Sequence, residues 1–188
     1  MHFKIIVLLI LPFCLITSCI NIEKEKKTTQ IGQTEISIPI DSLVCLQPAG
    51  NNFIDNHVAN ADYKYVIYCD STACSMCELE RMGIWNGIIK KAKSAGVTVD
   101  FMFIFNPPKK DVTEFINGYY SNRYSLTVFI DTIGIIEKNN TLLKKLALHS
   151  FILNENNHIV KIGDASKNAG VEQAFYKFLK NSKKDSAE

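Results

Sequence analysis

Residues 65–85 read YVIYCDSTACSMCELERMGIW, and this stretch decides the fold. Its first part, Tyr65 to Asp70, is rich in aromatic and β-branched residues, the composition of a strand. Its second part opens on Cys74 and Cys77, spaced Cys-x-x-Cys, and continues into Met82, Trp85, Ile89 and Ala92, which recur at three-to-four spacing. That period is helical, and Gly96 is well placed to stop the helix. The two cysteines therefore stand where a strand turns into a helix. A helix beginning at Cys74 sets its sulfur near unpaired backbone N–H groups and the positive end of the helix dipole, and both favour thiolate over thiol. Cys77, three residues on, lies on the same helical face within disulfide reach. Glu78 and Glu80 oppose a thiolate, and no Lys or Arg adjoins the pair before Arg81. Such a pair can be a redox couple, part of a metal site or a structural clip. The clip is the weakest of these, because so short a loop constrains little.

The compartment bears on that choice. The chain has 188 residues and begins MHFKIIVLLILPFCLITSCINIEKEKK. Lys4 precedes an apolar run, Ile5 to Ile16, of the length of a signal-peptide core and too short to span a bilayer. The run ends at ITSC, which resembles the lipobox of bacterial lipoproteins. That resemblance implies residues 1–18 as a removed signal, lipid on Cys19, and a cell-envelope location, periplasmic or on the outer-membrane side. The polar, charged residues 19–34 cannot bury much surface and are expected to form a flexible tether. Removing Lys4 with the signal takes the formal charge from +2 to +1, and no basic stripe points to nucleic acid. A hydrophobic content of 47% is enough for one well-packed domain. With Cys14 in the signal and Cys19 lipidated, Cys45, Cys69, Cys74 and Cys77 remain, and an exported chain can keep disulfides.

Residues 35–62 are expected to form an N-terminal strand extension, with EISIPIDSLVCL as an edge strand around a proline. Residues 63–181 hold the main domain, and 182–188 are expected to be a disordered tail. Within the domain, VTVDFMFIFN is almost continuously apolar, as in a buried strand of an α/β sheet. Asp111 with Glu114 three residues later is a capping-box pattern for a second helix. LTVFID reads as a strand, NNTLLKKLAL as a short helix, SFILNENNHIVKIG as a hairpin and AGVEQAFYKFLK as a closing amphipathic helix. Strands alternating with helices predict an α/β fold with a parallel portion of sheet, and the terminal hairpin makes that sheet mixed.

These features together, YVIYCDSTACSMC, VDFMFIFNP and HSFILNENNHIVKIGD in that order, resemble the thioredoxin-like fold and its lipoprotein and TlpA-like branch. The resemblance covers roughly Tyr63 to Lys180. It implies a three-layer domain with a mixed central sheet flanked by helices. It implies a thiol–disulfide oxidoreductase needing no cofactor, with Cys74 as attacking and Cys77 as resolving sulfur. Its partners would be exported proteins carrying thiols or disulfides, and a membrane electron donor. Three departures stand out. Ala73 replaces a common tryptophan, and Tyr68 stands where thioredoxins bury a carboxylate. LALHSF lacks the proline of the substrate-binding loop, leaving Leu148 or His149 in its place.

That loop opens a second reading. Cys74, Cys77 and His149 would supply two thiolates and an imidazole, a soft set suited to copper and similar to that of the Sco-type copper chaperones. A third reading is a non-catalytic thioredoxin-fold binding module. A peroxidase-like reading rests only on Ser71, three residues before Cys74, and lacks the expected proline at Ile67. Cys69 is expected to pack as a small hydrophobe, with pairing to Cys45 open if the first strand lies beside it. Gly83 and Gly87 suggest close helix–sheet approach, and His57 and His158 are expected to face solvent.

Overall fold

The structure, a computed structural model, describes residues 32, 34–49, 53–146 and 149–185. The signal, Cys19, Leu148 and the tether apart from Gly32 and Thr34 lie outside the described residues. The chain divides between Thr34 and Glu35, and every element named below lies in the second unit.

The central strands are β2, Tyr63–Cys69, and β3, Val99–Phe105, which run parallel in unbroken register from Tyr63↔Val99 to Cys69↔Phe105. Every residue of β3 is buried, Asp100 included, as its almost continuous apolar character suits a strand covered on both faces. β4, Val128–Ile130, adds to β3 in parallel, and the edge strand β1, Val44–Leu46, pairs antiparallel with β4. On the other side β5, Ser150–Asn154, pairs antiparallel with β2, and β6, Ile159–Ile162, closes the hairpin. The strand order is β1-β4-β3-β2-β5-β6. This mixed sheet, with helices on both faces and the dicysteine after a central parallel strand, is the thioredoxin-like arrangement.

Period-two alternation sorts the strand side chains between two layers. Tyr65, Phe101 and Phe103 face α2, Gly83–Lys93, and α6, Ala169–Asp185, where Trp85 and Phe175 complete an aromatic cluster. The Tyr65 ring lies 5.1 Å from Trp85 and 5.0 Å from Phe175, both edge-on. α3, Val112–Ser121, packs on the same face through Phe115 against Phe105. On the opposite face Tyr68 looks towards α4, Ile135–Asn139, and α5, Thr141–Leu146.

Several local expectations change. The helix after the cysteines is two segments, α1, Ser75–Arg81, and α2, joined at Met82. The predicted short helix is the pair α4 and α5. α6 runs to Asp185, into the stretch expected to be a tail, because one more turn continues the backbone ladder of a long amphipathic helix. A Cβ on Gly83 or Gly87 would meet nothing within 4 Å, so these glycines mark open surface and not close approach. Asp111 stands at the N-cap of α3 but makes no side-chain cap bond, since its backbone is already helical at φ −101°, ψ −6°.

The N-terminal extension is used as strapping. The Ile36 N–H donates to Asn157 O at 2.9 Å, and Ser37 exchanges hydrogen bonds with the side chain of Asn140. Further on, Asn56, fully buried, wedges between the starts of β3 and β4. Its Nδ2 donates to Phe101 O and Thr127 O, and its Oδ1 accepts from Thr127 N–H. His57, expected to face solvent, is half-buried and pairs with Asp100 at 2.9 Å.

Candidate functional site

Parallel strands all end on one side, and the chain must turn there into its crossovers, so polar turn residues gather at the carboxyl ends. Here those turns hold Asp70 after β2, Asn106 and two prolines after β3, and Asp131 after β4. The fully buried Asp131 carboxylate accepts from the N–H groups of Ile135 and Ile136 and so starts α4.

Asp70 shapes the approach to the cysteines. Its Oδ1 accepts from Thr72 N–H at 2.8 Å, Thr72 Oγ1 at 2.7 Å and Ala73 N–H at 3.0 Å, an Asx turn legible in the local Asp-Ser-Thr sequence. Partial burial works against its charge, but these hydrogen bonds and the nearby His149 outweigh it and hold the carboxyl below its ordinary value.

The turn delivers Cys74 to the N-cap of α1. Cys74 and Cys77 are joined by a disulfide, with Cα atoms 5.3 Å apart. The Cys77 N–H donates to Cys74 Sγ at 3.2 Å. The helix N-terminus predicted around Cys74 is thus realised as a specific N–H···S contact. Both cysteines are exposed, because α1 turns Ser75 and Leu79 inward instead. What distinguishes Cys74 is its position at the helix start.

The tertiary structure adds a cation that the local sequence lacks. Lys167, in the loop between β6 and α6, donates to Glu78 Oε1 at 2.8 Å and lies 3.5 Å from Asp164. Desolvation works against the Lys167 charge, yet Glu78 and Asp164 outweigh it and raise its value. Lys167 thereby answers Glu78, the acid next to Cys77. Nothing near position 167 in the sequence signals this role; it depends on the hairpin bringing residue 167 beside α1.

Cys69 ends β2 beneath the site, 5% exposed, with its sulfur 3.7 Å from Ser75 Oγ. Burial pushes its thiol up to about 11. It lines a cavity of about 170 Å³ together with Ala73, Glu78, Trp85 and Lys167. Cys69 and Cys45 are both free, and Cys45 is exposed on β1. Their pairing is ruled out by strand order. β4 and β3 lie between β1 and β2, which at a strand spacing of about 4.8 Å separates the backbones by about 14 Å.

His149 precedes β5, and its carbonyl accepts from Tyr68 N–H at 2.7 Å, which pins the loop beside the end of β2. Its side chain is 50% exposed, and Nδ1 lies 3.6 Å from Asp70 Oδ2. The alternative copper set of Cys74, Cys77 and His149 is not brought together in the disulfide form. The two sulfurs are bonded to each other, the imidazole turns to Asp70, and among the described residues no three metal-ligating side chains stand close enough to share an ion. No helix of the described residues is long and apolar enough to cross a membrane.

No protein-family model matches the chain, and no curated protein matches it. Solved structures with a related fold exist. The exposed lipoprotein thioredoxin of Streptococcus pneumoniae is 20% identical, with a TM-score of 0.41, over 65% of this chain and 86% of its own. A thioredoxin-like protein of Bacteroides caccae is 14% identical, with a TM-score of 0.41, over 85% of this chain and 53% of its own. The copper-bound Arabidopsis thaliana ScoI is 14% identical, with a TM-score of 0.40, over 62% of this chain and 85% of its own. These are distant likenesses; strand order and the placement of the dicysteine define the fold here.

Proposed function

We propose that this chain is a thiol–disulfide oxidoreductase that works through Cys74 and Cys77 on exported partner proteins. The observation that carries the proposal is the exposed Cys74–Cys77 disulfide at the start of α1, with the Cys77 N–H directed at Cys74 Sγ. In the reduced protein the same N–H favours charge on Cys74, because hydrogen bonds to ionised groups are stronger than those to neutral ones.

The exchange balances without a cofactor. The Cys74 thiolate attacks one sulfur of a partner disulfide, forms a mixed disulfide and releases the partner's other sulfur as a thiolate. The Cys77 thiolate then attacks Cys74 Sγ, releases the partner's second thiolate and closes the Cys74–Cys77 disulfide. Two electrons pass from this protein to the partner, and a membrane electron donor would restore the dithiol. Run in reverse from the disulfide, the same steps oxidise a partner dithiol.

The anchor belongs to the same proposal. Lipid on Cys19, carried by a polar tether, would hold the domain at the cell envelope within reach of exported chains. A Cys19→Ser chain is expected in the soluble fraction; continued membrane association would point to another anchor.

Titration of the protein in dithiothreitol buffers of defined ratio tests the redox reading. The expected result is one reversible two-electron couple, lost in Cys74→Ser and Cys77→Ser. Cys77→Ser should accumulate mixed disulfides with partners through Cys74, and Cys74→Ser should not. Absence of a couple, or equal trapping by both variants, would sink the proposal.

A further inference from the structure

A second pocket opens on the other side of the disulfide, and its chemistry is asymmetric. It encloses about 280 Å³ between the start of α1 and the turn from β3 into α3. Cys74 forms one wall. Met76, Pro108 and Phe115 supply apolar surface, and Asp111 and Glu114 are its acids. No Lys, Arg or His lines it. Lys109 and Lys110 are exposed in the preceding turn but form no part of the lining.

Both carboxylates are uncommitted. Asp111 caps α3 by position only, with no side-chain bond to the helix. Among the described residues neither Asp111 nor Glu114 has a side-chain hydrogen bond or an ion pair. A partner undergoing exchange must bring a sulfur to Cys74, which is itself a wall of this pocket, so the pocket lies within reach of the residues beside that sulfur. Apolar walls with acids and no cation match a side chain that has a methylene stem and a positive head.

We infer that the pocket receives a lysine or arginine of the partner protein, adjacent to the partner's reacting cysteine, and that Asp111 and Glu114 set this preference. The inference rests on the exchange reaction proposed above and adds the class of partner. The stem lies along Met76, Pro108 and Phe115, and the head reaches the two carboxylates. Pairing takes place in partly solvated surroundings, so the discrimination is modest and weakens as salt screens it.

Peptides carrying one cysteine as a mixed disulfide with thionitrobenzoate test this, with Lys, Gln or Glu next to the cysteine. The reduced full-length protein attacks the peptide sulfur, thionitrobenzoate leaves, and its absorbance gives the second-order rate constant. At low salt the Lys peptide should react about fivefold faster than the Glu peptide, the combined effect of two exposed ion pairs. That ratio should fall towards one in Asp111→Asn/Glu114→Gln and invert in Asp111→Lys/Glu114→Lys. Equal rates for the three peptides, or a ratio indifferent to both double variants, would overturn the pocket assignment while leaving the exchange reaction standing. No reaction with any peptide would overturn both.

Discussion

Replacing Cys69 by alanine removes a single buried proton-binding group, and the consequence can be worked out from its surroundings. Burial pushes the Cys69 thiol from 9.0 up to about 11, because a thiolate at the end of β2 would be largely stripped of water. The hydrogen bond with Ser75 pulls the other way, and the charges of Glu78 and Asp70 add to the rise. The folded-state value lies above the unfolded one, so the contribution to stability is complete below pH 9 and is lost as pH rises towards 11. A rise of about two pH units corresponds to about 3 kcal/mol in all, of which about half is gone by pH 10. Urea unfolding of the disulfide form, wild type against Cys69→Ala, at pH 7 and pH 10 isolates this component, because every other titrating group is common to both proteins. The wild type should lose about 1 kcal/mol more than the variant between the two pH values. Equal losses in the two proteins would show that the protein accommodates a Cys69 thiolate, and Cys69 would return as a third redox thiol. With the value near 11, only about one Cys69 in ten thousand is ionised at pH 7, and it does not compete with Cys74 for partners.

Two further outcomes follow from buried hydrogen bonds. Tyr65, 1% exposed, donates from its hydroxyl to Gly163 O at 2.7 Å and accepts from Ala165 N–H at 3.0 Å. Tyr65→Phe leaves both backbone groups unpaired and should cost about 1–3 kcal/mol in urea unfolding; an unchanged midpoint would mean that solvent or rearrangement replaces these bonds. Asn56→Ala removes all three bonds across the starts of β3 and β4 and should cost about 3 kcal/mol or more. A loss below about 1 kcal/mol would show that the wedge is dispensable.

Much of the fold was legible because it follows from near neighbours. Met82, Trp85, Ile89 and Ala92 are all buried, as their spacing required. All seven residues of β3 are likewise buried, the six apolar ones as expected and Asp100 with His57 as its partner. The capping-box pattern at Asp111 misled for an equally local reason. Its residue types suit a cap, but the backbone enters α3 already helical, and the carboxylate is left without that bond. The Gly83 and Gly87 spacing misled because it specifies a helical face without saying whether anything packs on it.

The site divides along the same line. The strand, the turn at Asp70, the helix start and the Cys74–Cys77 spacing are encoded within about a dozen consecutive residues, so the sequence by itself determined where a disulfide could form and which sulfur would cap the helix. Strand order was not encoded locally, and it decided the rest. It placed β4 and β3 between Cys45 and Cys69, set Lys167 against Glu78 across 89 positions, and turned His149 to Asp70. Periodicity reports which face of an element is buried, whereas the identity of a distant neighbour depends on how the whole sheet is threaded. For that reason the reactive pair could be read from one short stretch, and its electrostatic company emerged only from the tertiary structure.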